Sequence, residues 1–187
     1  MKQYKSMTIA LTSLMLTLTP HHAIASELDA HEHGSATLDI AIDTNTISMS
    51  FESPAVNIVG FEYATDDDQQ LLLIQQAKNN LSNFDAVFQL VGEASCQIVE
   101  SSANWVIKHE EDDHEEGHEE DDPASEHAEF IAEYQLICKQ VNYLTAIDVN
   151  LFEFFPGISD LDVQVIHSGG QIKQELDSSN TLIRLAK

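Results

Sequence analysis

Grouped histidine and carboxylate side chains are the chemically able residues of this chain. His31-Glu32-His33-Gly34 places two imidazoles two residues apart. On an extended chain such residues point to the same side, so both rings could reach one ion. A second group runs from His109 to Asp122. It holds ten acids, one glycine and three histidines (His109, His114 and His118), with no apolar residue. Imidazole suits zinc, copper and nickel, and carboxylates also take harder ions. Such a stretch could collect metal without one fixed geometry. Its affinity should fall as histidines protonate below about pH 6.5. The same residues also read as a plain solubilising charge run, and that alternative stays open. His127 is the third element, opening His127-Ala128-Glu129-Phe130. On a strand His127, Glu129 and Glu133 share one face. With His31 and His33, His127 would complete a three-histidine set suited to zinc. Glu62 stands between Phe61 and Tyr63. It reads either as a paired core carboxylate or as a partner that orients a histidine. His167, beside Ser168-Gly169-Gly170, reads as a turn residue.

One motif match misleads. His114-Glu115-Glu116-Gly117-His118 fits H-E-x-x-H, the metalloprotease pattern. That chemistry needs a stable helix with an apolar back, so that two histidines hold zinc while the glutamate acts as base. From Glu110 to Asp122 every residue other than Gly117 and the histidines is acidic, so nothing there can pack. The chain also lacks G-x-S-x-G and any phosphate-cradling glycine loop. A binding protein, not an enzyme, is expected.

The elements that must position these residues are mostly strands. Gly34 to Ile42 alternates in part, Asp43-Thr44-Asn45-Thr46 is turn chemistry, and Ile47 to Phe51 alternates again, which predicts a hairpin ended by Pro54. Thr65 before Asp66-Asp67-Asp68 predicts a capped helix start. Ile74, Ala77, Leu81 and Phe84 follow at helical spacing, giving an amphipathic helix of about four turns. Cys96 to Ile107 and Phe130 to Lys139 read as long strands bracketing the acidic insert. Ala146 to Leu151 and Leu182 to Leu185 are shorter strand candidates. Leu161 to Ile166 and Gln171 to Leu176 flank a Ser-Gly-Gly hairpin signal. The expected fold is α+β: a single domain, mostly antiparallel sheet backed by one amphipathic helix, with a disordered His/acid-rich insert at 108–126.

Composition sets the compartment and partners. Lys2 and Lys5, an apolar run from Met7 to Thr19, and Ala23-Ile24-Ala25 occur in the order of a secretory signal peptide, so residues 1–25 are expected to be removed. That removal takes the formal charge from −24 to −26. So acidic a chain repels phosphate backbones, which argues against nucleic acid and for cations or a basic protein. No later stretch is long and apolar enough to insert in a membrane. Cys96 and Cys138 are the only cysteines. In an exported chain the pair reads as one disulfide, with two free thiols or two thiolate ligands as alternatives.

Taken together, these features resemble one family. They are the signal peptide, His31-Glu32-His33-Gly34, Ser53-Pro54-Ala55, Gly60-Phe61-Glu62-Tyr63, Cys96, the His/acid insert, His127-Ala128-Glu129-Phe130, and Cys138 with Leu151-Phe152 to Pro156. Their order resembles the ZrgA-like family of bacterial periplasmic zinc-binding proteins, over Ser26 to Lys187. The chain departs from that pattern at Tyr63, where the resemblance leads one to expect histidine. The resemblance implies a periplasmic accessory that captures Zn2+, in one or more ions, and assists uptake, handing zinc to an ABC transporter's binding protein. Two other readings compete. One is an exported copper or nickel buffer. The other is an acidic interaction domain that needs no metal.

Overall fold

Alternating apolar residues give the first two strands their sidedness. In β1 (Ser35–Ile42), Ala36, Leu38 and Ile40 face inward; in β2 (Thr46–Pro54), Ile47, Met49 and Phe51 do so. The computed structural model describes residues 33–109 and 126–185, which fall in one compact unit. The hairpin closes at Asp43, whose N–H donates to Thr46 O at 3.0 Å and whose Oδ1 accepts from Thr44 N at 2.7 Å. Asp43 thus holds the turn through both its backbone and its side chain.

The remaining strands are β3 (Phe88–Gly92), β4 (Cys96–His109), β5 (Glu126–Cys138), β6 (Leu144–Val149), β7 (Asp160–His167), β8 (Gly170–Asp177) and β9 (Leu182–Arg184). A six-stranded sheet runs β4-β5-β2-β1-β7-β8, and a three-stranded sheet runs β3-β6-β9. The expected α+β class with predominant strands matches this architecture. Two features differ from the expectation. First, β1 and β7 are parallel, with Leu38 opposite Val163. β2 occupies one side of β1, so the other side is open to a strand arriving from the far end of the chain, and Gly34 O anchors it by accepting from Ser159 N at 2.7 Å. Second, a separate small sheet exists, and β3 in it has only Phe88 buried, too little alternation to read as a strand.

Both sheets feed one apolar cluster. Leu38, Phe51, Phe130 and Val163 come from the large sheet, and Phe88, Ile147 and Ile183 from the small one. Burying a side chain of this size contributes about 1.5–3 kcal/mol each. The helix α2 (Asp68–Leu81) adds Ile74, Ala77 and Leu81. Its cap is Asp67, not Thr65: the Asp67 carboxylate accepts from Gln69 N at 2.9 Å and Gln70 N at 3.0 Å. Thr65 acts one step earlier, its hydroxyl accepting from Asp67 N at 3.1 Å. Phe84 is not on α2 either; it opens the short helix α3 (Phe84–Val87) and packs edge-on against Tyr134. At the other end of α2 two carbonyls left without helical partners are taken by the sheet. Tyr134 OH donates to Leu81 O at 2.7 Å and Ser101 Oγ to Ser82 O at 2.6 Å.

β4 and β5 form the longest ladder. Cys96 lies opposite Cys138 at one end, and His109 opposite Glu126 at the other. The two cysteines are joined as a disulfide, at the end away from the insert, and no free cysteine is present among the described residues. Residues 110–125 of the expected insert lie outside the described residues, as does the segment read as a signal peptide; Lys108, His109 and Glu126, expected within the insert, belong instead to β4 and β5. Among the described residues no helix is long and apolar enough to cross a membrane.

Candidate metal site

Three separate segments bring His33, Glu62 and His127 together. His33 precedes β1 at a turn where Gly34 has φ +93°, a backbone state that disfavours side chains. Asn57, 5% exposed, holds that turn. It lies in the short helix α1 (Ala55–Val59) that follows β2. Its Oδ1 accepts from Gly34 N at 2.7 Å, while its Nδ2 donates to Ser35 O at 2.9 Å and Ser53 Oγ at 3.2 Å. One side chain therefore ties the segment carrying His33 to the end of β2.

Glu62 is delivered by the chain that leaves α1. Pro54 is the last residue of β2 in the ladder with β5, opposite Glu129. Gly60, at φ 85°, closes α1 and reverses the chain. Phe61 is then buried, with its ring 5.8 Å from Trp105, which in turn meets Phe130 edge-on at 5.3 Å. With Phe61 anchored, Glu62 O accepts from Ala128 N at 2.8 Å. That bond satisfies β5 where β2 has departed and sets Glu62 beside His127.

The side chains meet at one oxygen. Glu62 Oε1 lies 3.4 Å from His33 Nε2 and 3.5 Å from His127 Nδ1. In a tetrahedral zinc site with bonds of about 2.1 Å, neighbouring ligand atoms stand about 3.4 Å apart. Both separations are those of imidazole–carboxylate ion pairs, and both also lie close to that ligand spacing. Exposure falls from 64% at His33 to 29% at His127 and 23% at Glu62, so the group opens to solvent from the His33 side. Among the described residues no group of three or more His, Cys, Asp or Glu side chains is arranged to hold a metal ion.

A charged cluster adjoins this group. Lys108 Nζ lies 2.7 Å from Glu52 Oε1 and also contacts Glu129 Oε2. Glu129 is 1% exposed although it lies on the outward face of β5, two residues from His127. Burial, and then a hydrogen bond with Glu52, lifts the Glu129 carboxyl above the usual glutamate range, with Lys108 pulling the other way. Burial works against the Lys108 charge, but its hydrogen bonds to Glu129 and Glu52 outweigh that and hold its pKa above the usual lysine value.

Of the predicted ligands, the structure brings His33 and His127 together. His31, His114 and His118 lie outside the described residues. His109 ends β4, its backbone opposite Glu126. His167, read as a turn residue, ends β7 opposite Gly170 and supports the turn, its Nδ1 accepting from Gly169 N at 3.1 Å. The sequence reading left Glu62 between two roles and missed Asn57 altogether. The signal for Glu62 was the carboxylate flanked by aromatic residues; a lone asparagine in a short apolar helix gives none.

No curated protein matches this chain. A family model does, over residues 30–185, and it is described as the ZrgA family zinc uptake protein. That span holds the turn at Gly34, Glu62, both strands around the insert and the cysteine pair. The chain belongs to the ZrgA family of zinc uptake proteins.

Proposed function

We propose that this protein is exported to the periplasm, captures Zn2+ at His33, Glu62 and His127, and assists its uptake. The observation that carries the reading is the convergence of both imidazoles on Glu62 Oε1, at 3.4 and 3.5 Å, from three distant stretches of chain. A mixed nitrogen and oxygen set of this kind suits zinc, and a fourth position open to solvent would let the ion enter and leave. His31, two residues before His33 along the chain, is the natural candidate for that position. The role is binding, not catalysis. The His/acid insert, with His109, His114 and His118, would gather zinc at lower affinity, and a transporter's binding protein would receive it.

Competition titration with a zinc chelator tests the site. His33→Ala, His127→Ala and Glu62→Ala are each expected to weaken tight zinc binding by about 100-fold or more, since even outer partners of ligands are worth about 10–100-fold. Binding should also weaken in acid, because imidazole ligands must be neutral to hold metal. Wild-type affinity in both histidine variants would remove the proposed site.

A further inference from the structure

Lys108 stands opposite His127 in the β4–β5 ladder, yet its side chain serves a different strand as well. Its ammonium reaches Glu129 on β5 and, at 2.7 Å, Glu52 on β2. Three neighbouring strands thus meet at one positive charge. That charge lies beside the proposed zinc ligands, because Glu129 and His127 are two apart on the same face of β5. Paired carboxylates attract oxygen-seeking cations such as Mn2+ and Ca2+, whereas imidazole favours zinc. Here the cation between the carboxylates is a side chain and cannot be exchanged.

We propose that Lys108 is a specificity-determining residue: its ammonium acts as a resident cation that withholds Glu52 and Glu129 from metal, so that the neighbouring His33, Glu62 and His127 hold a single ion and favour zinc over oxygen-seeking metals. This rests on those three residues being the zinc ligands. A lysine suits the task because its charge is compact and mobile enough to sit between two carboxylates on different strands. The rest of the site needs no change for the selectivity to alter, since the two carboxylates are already in place.

The test is Mn2+ bound per full-length chain, read from the electron paramagnetic resonance signal of free Mn2+, alongside zinc affinity. Wild type, Lys108→Met, Lys108→Arg and the double variant Lys108→Met/Glu129→Gln all carry the same insert, so its contribution cancels. Lys108→Met should bind one Mn2+ more than wild type, with the preference for zinc over Mn2+ reduced about tenfold or more. Lys108→Arg and the double variant should match wild type. An unchanged Mn2+ count in folded Lys108→Met overturns the inference. If Lys108→Met does not fold, Glu129→Gln decides. With the native lysine present it should keep wild-type zinc and Mn2+ stoichiometry, and a loss of zinc affinity of the size seen for a ligand would make Glu129 a ligand and overturn the inference. His127→Ala, titrated in parallel, separates the two failures: full zinc affinity there removes the zinc site itself, whatever Lys108 does.

Discussion

Asn57 holds the turn that carries His33, a proposed zinc ligand, without being a ligand itself. Its carboxamide is buried and uses both ends, accepting from Gly34 N at 2.7 Å and donating to Ser35 O at 2.9 Å. Without it, Gly34 N would lack its acceptor, while Gly34 O would still accept from Ser159 N and Asp160 N. Asn57→Ala should cost about 1–3 kcal/mol of stability, the range for leaving a buried polar group without its partner. It should also weaken zinc binding by about 10-fold, as loss of an orienting partner does. Denaturant unfolding checks the first and chelator competition on the folded protein checks the second. A stability loss with unchanged zinc affinity would mean that His33 is positioned by other contacts. Glu62 belongs to the same scale. Its side chain is the meeting point of two histidines, but its place is fixed by its own carbonyl, which completes β5 at Ala128.

Among the elements, α2 is fastened to the sheet at its C-terminal end by Tyr134, whose buried hydroxyl donates to Leu81 O. Tyr134→Phe leaves that carbonyl without its donor and should destabilise the fold by about 1–3 kcal/mol in urea unfolding. Burial raises the Tyr134 phenol well above its ordinary pKa. The unfolded chain then loses this proton first, so stability should fall as pH rises above about 10, where free tyrosine ionises. The variant should show a smaller alkaline loss; an equal loss would assign it to other groups. The elements also show what could be read in advance. The β1–β2, β4–β5 and β7–β8 pairs were legible, because alternation marks β1 and β2, and Asp43 to Thr46, the acidic run and Ser168 to Gly170 mark the connections within each pair. Strand direction was not. Leu38 and Val163 look the same whether β1 and β7 run parallel or antiparallel, and only the route of the chain between them decides. His33 and His127 were legible as ligand types, while their meeting depended on the path from Pro54 through Gly60 to Glu62, which no local pattern encodes.

Charge is a property of the whole molecule. The chain carries −24, and ten of its acids fall between His109 and Asp122. A single cation, Lys108, stands at the edge of that run beside the proposed site. Deleting residues 110–122 should leave one tightly bound zinc per chain and abolish weaker additional ions. Metal content after equilibration at graded free zinc reads both at once. Equal uptake by the intact and deleted proteins would deny the insert any part in collecting metal.

The disulfide and the insert occupy opposite ends of the β4–β5 ladder. Because Cys96 and Cys138 already hold the two strands in register, their pairing does not depend on how much chain joins His109 to Glu126. Doubling the length of a loop costs only about 0.6 kcal/mol in closure entropy. Residues can therefore be added to or lost from that connection with little effect on the body, so on the proposed function the number of histidines in the insert would set how many ions it gathers, independently of the site at His33, Glu62 and His127. On that reading capacity and affinity would reside in different parts of the chain, and each could drift without the other.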